Sequence, residues 1–279
     1  MKVSGFTIAR NVIKYNYPVV ESIQSILPLC DEFIVNVGRS EDDTLKVIRS
    51  IKDAKIRIIE TQWDKSQKPD MLSYQTNVAL KECKGDWAFY LQSDEVIHEA
   101  DLPKLKRLME TNLDNKEVDV FRFKWFHFYG SYWRYRIDGG WFQKQDRIVR
   151  NDGSIESCTD AFTFCRKDGK DIRRKQTNCF IYHYGWVQPP ELMRQRRVNA
   201  EDIGFVALTE KERTEAYEYG DLSRHPIYFG THPVVMKELI GRHELSEKDI
   251  KEINRHWWWY PPKMFNIRYK SGRREGIKQ

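Results

Sequence analysis

The sequence predicts an α/β fold: a mainly parallel sheet flanked by helices, with a helical extension at the C-terminus. Three observations point there. Short apolar runs alternate with amphipathic helical stretches through the first half of the chain. Several of these runs break off into polar residues, as strands do where loops begin. Beyond Val118 the character changes to an aromatic, β-rich half.

Lys2–Ala9 is the first strand, and Val19–Leu27 follows with Val20, Ile23, Ile26 and Leu27 on one helical face. Glu32–Val37 is a second apolar run, closed by Gly38, Arg39 and Ser40. A helix is expected over Asp43–Lys52, where Ser40 and the acids Glu41, Asp42 and Asp43 suit a helix N-terminus. Ile56–Glu60 is the third strand, and Met71–Cys83 is a helix stopped by Gly85. Trp87–Leu91 is a fourth strand, ending abruptly in Gln92, Ser93, Asp94 and Glu95, and Leu102–Leu113 forms a further helix.

Parallel strands joined by helices place their ligand at the carboxyl ends of the strands. The polar groups expected there are Arg10 and Asn11, Asn36 with Arg39 and Ser40, and Ser93, Asp94 and Glu95.

In the second half, Val118–Trp141 carries nine aromatic side chains between Phe121 and Tyr135, punctuated by Gly130, Gly139 and Gly140. Such a band reads first as core and second as a platform for stacking a sugar ring. Arg147–Arg150 is a strand before the turn Asn151-Asp152-Gly153, and Phe180–Tyr184 is a strand ending in His183-Tyr184-Gly185-Trp186. Pro189 and Pro190 open a helix to about Ala200. Residues 1–188 form the main domain, and 189–279 a helical, aromatic extension packed on it.

With 40% hydrophobic and 32% charged residues over 279 positions, the chain is neither disordered nor fibrous. No stretch approaches the roughly 20 apolar residues of a membrane-spanning helix, and the N-terminus reads as strand rather than leader. Five widely spaced cysteines, without a Cys-x-x-Cys pair, argue against a disulfide framework or a structural zinc site and for small buried hydrophobes in a reducing cytoplasm. The net charge of +6 concentrates in Arg194–Arg197 and Lys270–Lys278, a surface suited to a membrane face, a pyrophosphate or nucleic acid. Nothing in it reads as a nucleic-acid module. The Trp257–Tyr260 run is expected to cover the domain base, meet a second copy or touch lipid headgroups beside the basic tail.

The segments Ile8–Asn11, Asp31–Thr44, Gln75–Asn77 and Gly85–Glu95 together resemble a family 2 glycosyltransferase of GT-A fold, the bacterial surface-glycan type. The match is close over the first third and looser to about Trp186. The resemblance implies transfer of a sugar from a nucleotide-sugar donor to a glycan or lipid-linked acceptor, with Mn2+ or Mg2+ on the departing pyrophosphate, at the inner membrane face. It places Asp94 at the last acid of the Asp-x-Asp metal motif, with Glu95 as an auxiliary ligand and His183 completing the set. Gln92 stands where an acid is usual, so one charge is missing. Donor-binding roles fall to Arg10, Asn11, Asn36, Arg39, Asn77 and Ser93, with Asn36 where an Asp often reads the nucleobase.

An inverting reaction also needs a carboxylate to deprotonate the acceptor. Asp138, Asp146, Glu156 and Asp160 are candidates, and Asp160 best fits the spacing of related chains, about a dozen residues beyond the Arg147–Arg150 strand. Each of these side chains also has an ordinary structural reading, as a helix cap, a loop charge or a core histidine. A non-catalytic glycan- or nucleic-acid-binding protein on a degenerate GT-A fold is the rival, kept open by Gln92 and the aromatic, basic second half.

Overall fold

The computed structural model describes residues 1–64, 66, 70–137 and 144–243. Asp138, Trp141, the Trp257–Tyr260 run and the Lys270–Lys278 tail lie outside the described residues.

The first half runs β1 (Val3–Ala9), α1 (Val19–Ile26), β2 (Glu32–Gly38), α2 (Thr44–Ser50), β3 (Ile56–Thr61), α3 (Met71–Lys81), β4 (Trp87–Tyr90), β5 (Glu95–Ile97) and α4 (Leu102–Thr111). The second runs β6 (Val120–Tyr129), β7 (Tyr135–Arg136), β8 (Lys144–Arg150), β9 (Ile155–Cys158), β10 (Thr163–Arg166), β11 (Arg174–Trp186), α5 (Pro190–Asp202), α6 (Glu210–Thr214) and α7 (Lys237–Gly241).

Among the described residues nine strands make one sheet in the order β3-β2-β1-β4-β8-β6-β11-β5, with β7 beside β6. Strands β3, β2, β1 and β4 are parallel, as βαβ units require. The second half joins antiparallel through β8 on β4 and β6 on β8, while β11 lies parallel to β6. Both faces are covered, so the central strands are apolar on both sides. Phe33, Val35 and Val37 of β2 and Trp87 and Phe89 of β4 face α1, α2 and α4. Ile34, Ala88 and Tyr90 face the other way, onto α3 and the β9–β10 hairpin. The aromatic band resolves chiefly into core: Phe126, Phe128, Tyr132 and Tyr135 pack with Tyr182, Tyr184, Tyr228 and Met236.

Two features depart from expectation. Glu95–Ile97 is a strand, paired antiparallel with His183–Ile181 at the sheet edge. Cys158 and Cys165 form a disulfide, with Cα atoms 6.0 Å apart. That corrects the reading of all five cysteines as unpaired; the hairpin folds these two together, and only the fold reveals it. Cys30, Cys83 and Cys179 are buried free thiols, each pushed up in pKa by burial. Among the described residues no helix is long and apolar enough to cross a membrane.

Candidate active site

A pocket of about 450 Å³ opens at the carboxyl ends of β1 and β4, roofed by α5 and walled by β6, β11 and the β9–β10 loop. Of the residues expected at a ligand, Arg10, Ser93, Asp94, Asp160 and His183 line it.

Asp94 follows β4, and its carbonyl accepts from the Tyr184 amide at 2.8 Å, which docks the loop on β11. Its Oδ2 lies 3.5 Å from His183 Nε2. Gly185 makes room for this approach: a Cβ there would sit 2.6 Å from Asp94 Oδ2 and 2.7 Å from His183 Nε2. Burial pushes the Asp94 pKa up, but His183 and the Arg196 guanidinium outweigh it, leaving the carboxyl below its usual range. His183 stacks flat on Trp125, ring centroids 5.1 Å apart, and its Nδ1 meets His127 Nδ1 at 3.0 Å.

Asp160 approaches from the opposite side, in the β9–β10 loop. Thr159, Asp160 and Ala161 all have left-handed backbones, with φ of 52°, 52° and 62°, a costly run for non-glycine residues. The surroundings hold it. The Leu72 amide donates to Asp160 Oδ1 at 3.0 Å, and the Ala161 amide donates to Ser73 Oγ at 2.6 Å. The Gln92 amide reaches the Ala161 carbonyl at 3.4 Å, and the Cys158–Cys165 disulfide closes the hairpin. Asp160 Oδ2 is buried with no hydrogen-bond partner among the described residues. Burial, helped by Asp70 and opposed by the Leu72 amide, raises its pKa to about 6.

The other candidate bases are placed elsewhere. Asp146 is fully buried between Arg122 and Arg174, and Glu156 lies on β9 outside the pocket lining.

Glu95 is a correction. Both its oxygens bind Arg147 at 2.7 Å, and both side chains are wholly buried, so its carboxylate is consumed as a structural ion pair. Four expected donor contacts are likewise placed off the pocket lining. Asn36 is fully buried, donating to Gln75 and accepting from Thr61. Asn77 exchanges two hydrogen bonds with the Ser157 backbone and so tethers β9 to α3. Asn11, left-handed at φ 53°, bonds Ser40 and the Glu41 amide. Arg39 is exposed; its carbonyl accepts from Arg10 Nε and its amide donates to the Thr61 carbonyl.

The sequence reading missed Arg196. The Arg194–Arg197 cluster was visible, but helical phase picks out Arg196 from it as the arginine buried, with Met193, on the inner side of α5. Arg196 is 4% exposed and donates to the carbonyls of Tyr15, Asn16 and Gly185 at 2.6, 2.9 and 2.5 Å, with Tyr17 beneath its guanidinium. Trp63 and Trp125 also line the pocket, with buried indole N–H groups that find no acceptor among the described residues.

A family-wide profile described as Glycosyl transferase family 2 matches residues 6–171. No curated protein matches significantly. Among solved structures the chain is similar to S. aureus TarS 1–349, at 18% identity over 76% of this chain and 68% of that one, with a TM-score of 0.43. Against TarS 1–349 with UDP-GlcNAc the values are 16%, 99%, 78% and 0.45. Against Mycobacterium tuberculosis glucosyl-3-phosphoglycerate synthase with Mn2+, UDP and phosphoglyceric acid they are 23%, 45%, 43% and 0.31. The profile span contains Arg10, Asp94 and Asp160 but neither His183 nor α5.

Proposed function

This chain belongs to glycosyl transferase family 2, and we propose that its pocket moves a sugar, with inversion, from a nucleotide-sugar donor to a hydroxyl of a glycan or lipid-linked acceptor. The observation that carries this reading is one pocket with two opposed halves: the Asp94–His183 pair on one side, the partnerless Asp160 oxygen on the other.

A divalent cation fits the first half. One carboxylate oxygen and one imidazole nitrogen suit manganese, or magnesium less well. Their 3.5 Å separation suits adjacent ligands on one ion, and Gly185 brings no side chain against either of them. Among the described residues no third acidic, histidine or cysteine ligand joins them, so donor phosphate and water would complete the shell. Bound there, the cation supplies positive charge to the departing diphosphate.

The chain's own residues do the rest. Arg196 brings its guanidinium to the pocket wall, where among the described residues its hydrogen bonds go to the neutral carbonyls of Tyr15, Asn16 and Gly185. Arg10, 5.9 Å over Trp63, offers a second cation beside a face on which a nucleobase can stack. Ser93 donates to the Ile8 carbonyl, fixing the strand end beside Asp94. Asp160 Oδ2 accepts the acceptor hydroxyl's proton as its oxygen attacks the anomeric carbon. A pKa of about 6 leaves Asp160 ionised at neutral pH yet basic enough to act. Asn11, Asn36 and Asn77 hold strand ends and loops in place behind the pocket. We also propose that residues 189–279 form an extension of the 1–188 domain, completing the site through α5 and working at the inner membrane face.

Thermal unfolding with a panel of nucleoside diphosphates, with and without Mn2+, tests the donor site. The expected result is a manganese-dependent rise for one base, lost in Asp94→Ala. No rise with any nucleotide in the folded protein would refute it.

A further inference from the structure

Outside the residues given a task above, one buried polar contact reaches the cation pair directly. His127 and His183 are register partners on parallel β6 and β11, and their Nδ1 atoms are 3.0 Å apart. Both rings are buried, crossed at 80°, and Trp125 covers His183 face-on while meeting His127 edge-on at 4.4 Å.

Two imidazole nitrogens at that distance share one proton: one donates and the other accepts. The tautomer of His183 is therefore tied to that of His127. His183 can ligate through Nε2 only when that nitrogen is bare, so its own proton must sit on Nδ1. His127 Nδ1 is then the acceptor. Histidines that bind metals commonly give their second N–H to a carboxylate or carbonyl, and here another histidine occupies that place.

We propose that His127 is a positioning residue: it accepts the Nδ1 proton of His183 and so holds His183 Nε2 bare toward Asp94 for a divalent cation. This rests on the cation reading of the Asp94–His183 pair. His127 does not touch the cation.

The test is calorimetric titration of Mn2+ into the full chain without donor, comparing wild type, Asp94→Ala, His127→Leu and His127→Asn. Asparagine can present its Oδ1 near the place of Nδ1 and still accept. His127→Leu is expected to bind Mn2+ about 10- to 100-fold more weakly, the usual cost of losing such a support, and His127→Asn to recover most of that. A role in packing alone would lower the melting temperature of both variants and leave Mn2+ affinity unchanged. Should His127→Leu fail to fold, nitrogen-15 NMR of the Mg2+-loaded wild type decides: Nδ1-protonated His183 supports the proposal, and Nε2-protonated His183 overturns it. Wild-type affinity in His127→Leu, with none in Asp94→Ala, overturns this inference and leaves the cation reading intact. No Mn2+ binding by the wild type overturns the cation reading itself.

Discussion

Asp94, in the loop between β4 and β5, and His183, on β11, face each other at 3.5 Å, where Gly185 has no side chain to come between them. The glycine is required by space, since its φ is not left-handed. Gly185→Ala would put a methyl group against both groups, so the chain is expected to keep its fold while Mn2+ affinity drops at least about tenfold. Circular dichroism and a Mn2+ titration check the two halves of that statement; unchanged affinity would remove the pair as the cation site.

The raised pKa of Asp160 fixes a pH dependence. Donor turnover should rise with pH through a midpoint near 6, as the base loses its proton. The stability effect has the opposite sign. A carboxyl raised on folding favours the protonated native state, so its contribution grows as pH falls from above 6 toward the unfolded value near 4. Asp160→Asn should therefore be more stable than wild type at pH 8, the gap closing by about pH 4. Melting curves at both pH values check this.

Glu95 and Arg147 are both fully buried and paired through two bonds. Glu95→Gln leaves a buried guanidinium without its counter-charge, which typically costs about 3–5 kcal/mol. Mn2+ affinity of the folded fraction should stay at the wild-type value. A selective loss of Mn2+ binding without destabilisation would restore Glu95 as a ligand.

The Cys158–Cys165 disulfide closes the hairpin that carries Asp160. Replacing both cysteines by serine should cost on the order of 2 kcal/mol by the loop-entropy relation. Turnover should fall more than donor affinity, since the loosened part carries the base. Equal turnover would mean that the Leu72, Ser73 and Gln92 contacts suffice.

Much of the parallel half was legible because its signals are local. Apolar runs at strand spacing and helices such as Val19–Leu27 and Met71–Cys83 lie within one to three residues of the observed α1 and α3. The strand-end rule led to Arg10, Ser93 and Asp94, all at the pocket. It failed for Asn36 and Glu95 because a strand-end polar residue can be satisfied inward, and which way it points depends on Gln75 and Arg147, distant in sequence. Arg196 and the disulfide were missed for the same reason, as each acts across a long-range contact. His183 was legible from its strand end; its neighbour His127 was not, since β6 pairing beside β11 is a matter of topology.

The role proposed for Asp160 is that of base for a transfer reaction in the pocket that Asp94 equips for the donor. Its most direct test is nucleoside diphosphate release from a nucleotide sugar that binds, with Mn2+, by wild type and Asp160→Asn. Donor affinity is expected to be equal, with turnover lower by about 10²- to 10⁴-fold in the variant. Wild-type turnover in a folded Asp160→Asn would contradict it.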